Sequence, residues 1–232
     1  MKKYTRICAR IDLDAIEYNL EMMRRRLPSD TKMIGVIKMD GYGHGAAQIA
    51  KYVMEEKDYI WGYAAATPDE AALLRKKGIQ KPILVLGCTF PEQRDEMIRQ
   101  EIRMTCYTEE MARDVSERAG RLGKTAYIHI KLDTGMSRLG FLISEESADA
   151  IARAAGLPGI EAEGMFTHFS KADETDKAFT RGQMEKYLWM KARLADRGVA
   201  FKLCHCSNSA GIIDMPEAAM DLVRAGIAMY VL

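Results

Sequence analysis

Apolar residues in this chain recur with two periods, and the two alternate along its length. Short runs in which every second residue is apolar or β-branched are followed by stretches in which apolar residues return every three or four positions. The first pattern predicts a half-buried strand and the second an amphipathic helix. Residues 10–13 predict a first short strand, followed by a helix with Asp14 as N-cap and Glu17 three residues later. Ile16, Leu20, Met23 and Leu27 form that helix's apolar stripe, and Pro28 and Ser29 close it. Further strands are predicted over 33–38, 60–65, 83–87, 102–107, 127–132, 164–169, 201–206 and 222–229. Gly78 with Pro82, and Gly156 with Pro158, punctuate helix-to-strand turns. Residues 174–197 read as a longer helix, with Met184, Tyr187, Leu188 and Leu194 on one face and Gly198 after its end.

Repeated strand–helix units imply parallel strands joined by right-handed crossovers. Eight of them favour an α/β fold of the closed (β/α)8 TIM-barrel type, although an open doubly wound sheet gives a similar pattern. The 232 residues suit one such domain, 1–232, with no internal repeat, low-complexity tract or linker. Hydrophobic residues make up 48% of the chain and charged ones 29%, enough for a sizeable core. A net charge of +1, without long blocks of one sign, removes the electrostatic reason to expect nucleic acid or an acidic membrane as partner. Neither a signal-peptide pattern after Met1-Lys2-Lys3-Tyr4 nor an apolar run of about 18 residues occurs, so no bilayer span is expected. Five irregularly spaced cysteines (Cys8, Cys88, Cys106, Cys204, Cys206) read as reduced thiols of a cytoplasmic protein.

Alternation also predicts where the chemistry gathers. Function in barrels of this kind sits where the strands end, and alternate residues face inward. Ile34, Val36 and Lys38 share one strand face, as do Tyr127, His129, Lys131 and Asp133. Phe166 goes with His168, Leu203 with His205, and Leu222 with Arg224. Lys38, Lys131, His168, His205 and Arg224 are thereby expected near one rim. Unpaired buried charge is costly, so converging cations call for an anionic ligand or a polar network.

Taken singly, these residues have plainer readings. A lysine at a strand end is usually solvated, and a histidine on an apolar face is usually a core residue with its bonds satisfied. Lys131 could simply pair with Asp133. Cys204-His205-Cys206 could suggest metal, but alternation sets His205 opposite the two thiols, and no second ligand pair has zinc-site spacing. No metal is expected. The glycines at 41, 43 and 45 could be only a flexible loop.

Together the segments are far more specific. Val36-Ile37-Lys38-Met39-Asp40-Gly41-Tyr42-Gly43-His44-Gly45 resembles the pyridoxal-lysine motif of the alanine racemase family. Lys131-Leu132-Asp133-Thr134-Gly135-Met136-Ser137-Arg138-Leu139-Gly140 is similar to a second motif of that family. Thr167-His168-Phe169, His205-Cys206-Ser207-Asn208-Ser209-Ala210 and Val223-Arg224-Ala225-Gly226-Ile227-Ala228-Met229-Tyr230 follow in the family's order. The resemblance covers essentially the whole chain, as the family's amino-terminal barrel domain.

The resemblance implies pyridoxal 5′-phosphate as cofactor, with Lys38 holding it and exchanging the substrate's α-proton on one face. Tyr42, Ser209 and the backbone of Gly226 and Ile227 would cradle the phosphate, with Asn208 close by. Arg224 would face the pyridine nitrogen, supported by His168 and His205. Arg138 would lie near the phenolic oxygen and the substrate carboxylate, and Lys131 occupies a position carbamylated in some members. The implied reaction interconverts L- and D-alanine, supplying bacterial cell-wall precursors in the cytoplasm. The family is homodimeric and carries a β-rich second domain after the barrel, which this sequence is expected to lack beyond Leu232. That domain supplies the base for the opposite face, so weak activity or none is expected of the barrel alone. Two other readings stay open: a non-catalytic, single-domain pyridoxal-phosphate-binding protein, and a racemase for serine or another amino acid.

Overall fold

In the computed structural model, which describes residues 7–231, the period-two runs become eight strands. They are β1 (Lys32–Val36), β2 (Ile60–Ala65), β3 (Ile83–Val85), β4 (Arg103–Cys106), β5 (Ala126–Lys131), β6 (Ile160–Phe166), β7 (Leu203–His205) and β8 (Leu222–Ala225). All neighbouring pairs are parallel, in the order β7-β6-β5-β4-β3-β2-β1-β8. The two ends of that order meet. The Arg224 amide donates to Ser207 O at 3.0 Å, and the Asp221 carboxylate accepts from the Cys204 amide at 2.8 Å. The sheet is thus a barrel and not an open doubly wound sheet.

The helices are α1 (Leu13–Arg24), α2 (Lys38–Tyr42), α3 (Ala46–Ile49), α4 (Pro68–Lys76), α5 (Pro91–Arg99), α6 (Glu109–Leu122), α7 (Glu145–Ala155), α8 (Ala178–Ala195) and α9 (Ser209–Asp214). Several start on a side-chain oxygen that satisfies an otherwise orphaned amide. Thr67 caps α4, Thr108 α6, Ser144 α7 and Asn208 α9. These caps end the strand-to-helix loops at the rim where the strands finish.

Strand alternation sorts the core into two layers. Met33, Tyr63, Val85, Met104, Ile128, Ile130, Met165, Cys204, Cys206 and Val223 pack outward against the helices. Ile34, Val36, Ala64 and Leu222 point into the barrel, joined by Trp61, Leu86 and Leu203. On α1, Ile16, Leu20 and Met23 are buried, each contributing about 1.5–3 kcal/mol relative to exposure.

Several sequence expectations are corrected. Residues 10–12 form no strand, because Asp12 Oδ1 accepts from the amides of Asp14 and Ala15, both at 3.1 Å. Asp12 is therefore the N-cap, and Asp14 lies within the first turn. Strand β1 ends at Val36, so Lys38 begins a turn, and β8 ends at Ala225. Strand β6 begins at Ile160, earlier than expected. Helix α8 covers less than 174–197, and Leu188 is exposed while Tyr187, Met190 and Leu194 are buried. The segment Met1–Tyr4 lies outside the described residues. Among those described, no helix is long and apolar enough to cross a membrane.

Candidate active site at the C-terminal rim

Arg224 is the hub. It leaves β8 inward and is buried. Its Nη1 donates to His205 Nδ1 at 2.7 Å and His205 O at 3.3 Å. Its Nη2 donates to Thr167 O and Cys206 O, both at 2.8 Å, and meets His168 Nδ1 at 3.3 Å. Burial lowers its pKa to about 10, still leaving it charged near neutral pH. His205 stacks on Phe166 with centroids 4.7 Å apart, and its Nε2 meets His129 Nδ1 at 3.0 Å. His129 Nε2 in turn lies 3.2 Å from Glu163 Oε1, which accepts from Arg103 Nε at 2.7 Å. Burial holds the pKa of both His129 and His205 below the usual imidazole value. Burial alone would raise Glu163, but bonds from His129 and Arg103 outweigh it and hold the carboxyl below its usual value.

Lys131 ends β5 inside the barrel and is only 2% exposed. Burial, reinforced by Arg224, lowers its pKa to about 8. The expected alternative, an ion pair with Asp133, is not how that aspartate is used. Asp133 Oδ1 accepts from the amides of Gly135 and Ser137 at 3.0 Å each, and Oδ2 from Arg138 at 3.1 Å. Lys131 Nζ donates to Leu132 O at 2.6 Å instead. The loop closes tightly: a Cβ on Gly140, at φ +138°, would lie 2.5 Å from Asp133 N, so only glycine fits. The loop carries Arg138 on the exposed rim.

Lys38 and Tyr42 are positioned by an unusual backbone. Met39, Asp40, Gly41 and Tyr42 all have φ between +52° and +63°, one left-handed turn. Non-glycine residues disfavour this region, by roughly 1–2 kcal/mol each, so neighbours must impose it. Glu70 does so from α4, its Oε1 accepting from Met39 N at 2.9 Å and its Oε2 from Ala66 N at 2.7 Å. Asp40 Oδ1 also accepts from Ala46 N at 2.9 Å. The turn brings Lys38 Nζ to 5.6 Å from the Tyr42 ring centre. Tyr42 packs against Tyr230 at 5.0 Å, and burial raises its pKa.

Opposite Tyr42, Ser209 Oγ accepts from the amides of Gly226 and Ala228 at 3.0 and 3.2 Å. With both lone-pair directions engaged, its own proton is left to donate. The expectation for Gly226 changes accordingly: its amide is spent on Ser209. A Cβ on Gly226 would lie 3.5 Å from both Ser209 Oγ and Tyr42 Oη, so the missing side chain keeps this corner open. Asn208 lines the hollow while capping α9 and donating to Phe169 O at 3.2 Å.

Two adjoining hollows share Lys38, Leu86, His168 and Arg224. One, of about 320 Å³, reaches Tyr42, Ser209, Gly226 and Ile227. The other, of about 260 Å³, reaches Lys131 and Arg138. Burial and the neighbouring Arg224, Arg138 and Lys131 push His168 down to about 3, so it is neutral near pH 7. The structure brings together all eleven residues singled out in the sequence, His205 through Arg224. Sequence reasoning missed Glu163, Arg103 and Glu70. Cys204 and Cys206 face the helix layer and His205 the interior, as alternation predicted. No group of metal-ligating side chains occurs among the described residues.

Fold and site define a class: a (β/α)8 barrel whose C-terminal rim converges cations and hydroxyls on two adjoining hollows. The model of the family "Alanine racemase, N-terminal domain" matches residues 11–232, and the chain belongs to that family. The alanine racemase of Clostridium tetani is 43% identical over 224 residues, covering 97% of this chain and 57% of that protein. The solved alanine racemase of Clostridium difficile 630 superposes with a TM-score of 0.92 at 43% identity, over 95% of this chain and 57% of that one. That of Bacillus anthracis, solved with L-Ala-P bound, gives 0.89 at 32% identity, over 96% and 57%. The chain therefore spans little more than half the length of these relatives.

Proposed function

We propose that residues 1–232 form the pyridoxal 5′-phosphate-binding barrel domain of an alanine racemase. The observation that carries this reading is the placing of Lys38 in the same hollow as a donor-only Arg224 and a hydroxyl-lined corner. The donor set suits the cofactor. The hydroxyls of Tyr42 and Ser209 and the backbone at Ile227 suit a phosphate, as does the corner that Gly226 keeps open by lacking a side chain. Barrel folds commonly bind phosphate at loops after the last two strands, where three of these four residues lie. Arg224 offers donors only, so it would suit a cofactor ring nitrogen that accepts a hydrogen bond, and it would favour that nitrogen's unprotonated form.

When bound, pyridoxal phosphate supplies an electron sink that weakens the substrate's α-C–H bond. Lys38 holds the cofactor and, as a free amine, takes up and returns that proton on one face. Arg138 pairs with the substrate carboxylate at the exposed end of the second hollow. Lys131, with its depressed pKa, offers an amine able to add to carbon dioxide and release a proton. The carbamate so formed would turn a positive neighbour of Arg138 into a negative one. His168 and His205 stay neutral and hold the guanidinium of Arg224 in place.

In the whole protein this activity would supply D-alanine for bacterial cell-wall precursors, in the cytoplasm and as a homodimer. The residues 131–140 and the Arg224 segment favour this reading over a non-catalytic cofactor-binding protein, and alanine-racemase relatives favour alanine over serine. The test follows α-proton exchange of L- and D-alanine in heavy water with the cofactor-loaded chain. Lys38-dependent exchange from at least one enantiomer is expected. A loaded chain exchanging neither enantiomer contradicts the racemase reading.

A further inference from the structure

We infer that Glu163 and His129 are positioning residues that hold the buried row Arg224–His205–His129–Glu163–Arg103 in a single proton arrangement, in which every link from Arg224 as far as Glu163 donates away from Arg224 and Arg103 donates to Glu163 from the other end. The row has donors only at one end and a carboxylate near the other, with two imidazoles between. Arg224 Nη1 is 2.7 Å from His205 Nδ1, and a guanidinium has nothing but protons to present. His205 Nδ1 must therefore be bare, and its proton sits on Nε2. That proton points at His129 Nδ1, 3.0 Å away, which must also be bare. The proton of His129 is left on Nε2, facing Glu163 Oε1 at 3.2 Å. Arg103 keeps Glu163 ionised, so the carboxylate can only accept.

The reverse order fails at its first link. It needs a proton on His205 Nδ1 pointing at the guanidinium. A second proton on either ring fails as well, since it sets two N–H groups against each other in a fully buried site. His129 faces Glu163, Arg103, Arg224 and His205, and His205 faces Arg224, His129 and Lys131. Burial dominates for both rings, which keeps them neutral.

Two backbone features serve this row. Strand β6 has an irregularity where Ile128 pairs with Ala162 but His129 pairs with Gly164, leaving Glu163 as the extra residue. Such bulges re-aim a side chain, and here the carboxylate turns toward His129. Gly164 makes the room: a Cβ there would lie 2.5 Å from His129 Nδ1. The consequence is that Arg224 cannot swivel and must show its remaining donor surface to the hollow. This last step rests on the function proposed above, but the proton order does not.

The test is long-range proton–nitrogen NMR on the cofactor-free chain labelled at its four histidines. His129 and His205 are both expected as neutral Nε2–H tautomers at pH 7 and above. Either ring found as the Nδ1–H form, or charged within that range, overturns the inference. In Glu163→Gln the amide oxygen can still accept from His129 Nε2 and Arg224 still fixes the order, so the same single tautomer is expected; in Glu163→Leu that proton has no acceptor, and doubled or exchange-broadened His129 signals are expected. An unchanged single set in Glu163→Leu would show that Glu163 does not hold His129 in place. None of these spectra requires pyridoxal phosphate, so failure of the cofactor reading would leave this result standing.

Discussion

The groups that meet at the rim are held in two different ways. Lys131, His205 and Arg224 stand on β5, β7 and β8. Regular strand geometry aims them inward, and their bonds to one another and to loop carbonyls hold them there. Lys38 and Tyr42 stand on a left-handed turn that the backbone would not adopt alone. That turn is held from outside by Glu70, and its own Asp40 ties it to the start of α3. The difference separates two jobs. The strand-borne groups set a fixed electrostatic surface, and rigid elements suit that. The lysine proposed to react needs a defined starting place together with freedom to move its amine. A strained turn with external clamps provides both, which fits the observation that strain gathers at functional sites.

Breaking the strand-borne group should have the largest effect. His205→Leu leaves Arg224 Nη1 and His129 Nδ1 without their partner in a fully buried site. A loss of about 3 kcal/mol in chemical denaturation is expected. A loss below 1 kcal/mol would mean the row contributes little to holding the barrel interior.

Lys131→Met sharpens the comparison in the opposite direction, since a buried charge installed for function should weigh on stability. Its pKa of about 8, against 10.5 when exposed, fixes the sign. Between those values the unfolded chain binds a proton that the folded chain does not, so stability rises with pH across that window. Below about pH 8 the folded lysine is charged and the full burial cost is present. Lys131→Met should therefore stabilise the chain by up to about 3 kcal/mol at pH 7, and the gain should fade as pH rises toward 10.5. Melting curves over that range check both size and direction.

The smallest effect is expected at the turn. Glu70→Ala frees the amides of Met39 and Ala66 near the surface, costing about 1 kcal/mol. Hydrogen exchange should show faster opening of residues 38–42 with the barrel strands unchanged. Uniform acceleration across the strands would mean that Glu70 supports the whole fold and not the turn.

The strand-borne half was legible in the sequence because strict alternation governs it. Counting by twos along β5, β7 and β8 assigns Lys131, His205 and Arg224 to the interior, and the structure agrees. Counting failed where the backbone leaves that period. The alternating residues at 10–13 mimic a strand, but the Asp12 side chain captures two amides and starts a helix. At Lys38 the count overran the strand end, reaching the right rim by a turn instead of a strand. Glu163 was invisible because a bulge reverses its face. Glu70 was invisible because the need for it arises only once the left-handed turn is known. The closing of Tyr42 on Ser209 and Gly226 came from family resemblance, since nothing in local periodicity joins positions so far apart.

The central claim is that Lys38 holds pyridoxal phosphate in this hollow. The most direct measurement loads the chain with the cofactor, fixes the adduct with borohydride, and maps it by peptide mass spectrometry. The account predicts a single adduct on Lys38, lost in Lys38→Ala without transfer to Lys131. No adduct, or labelling scattered over surface lysines with Lys38 unmarked, would contradict it.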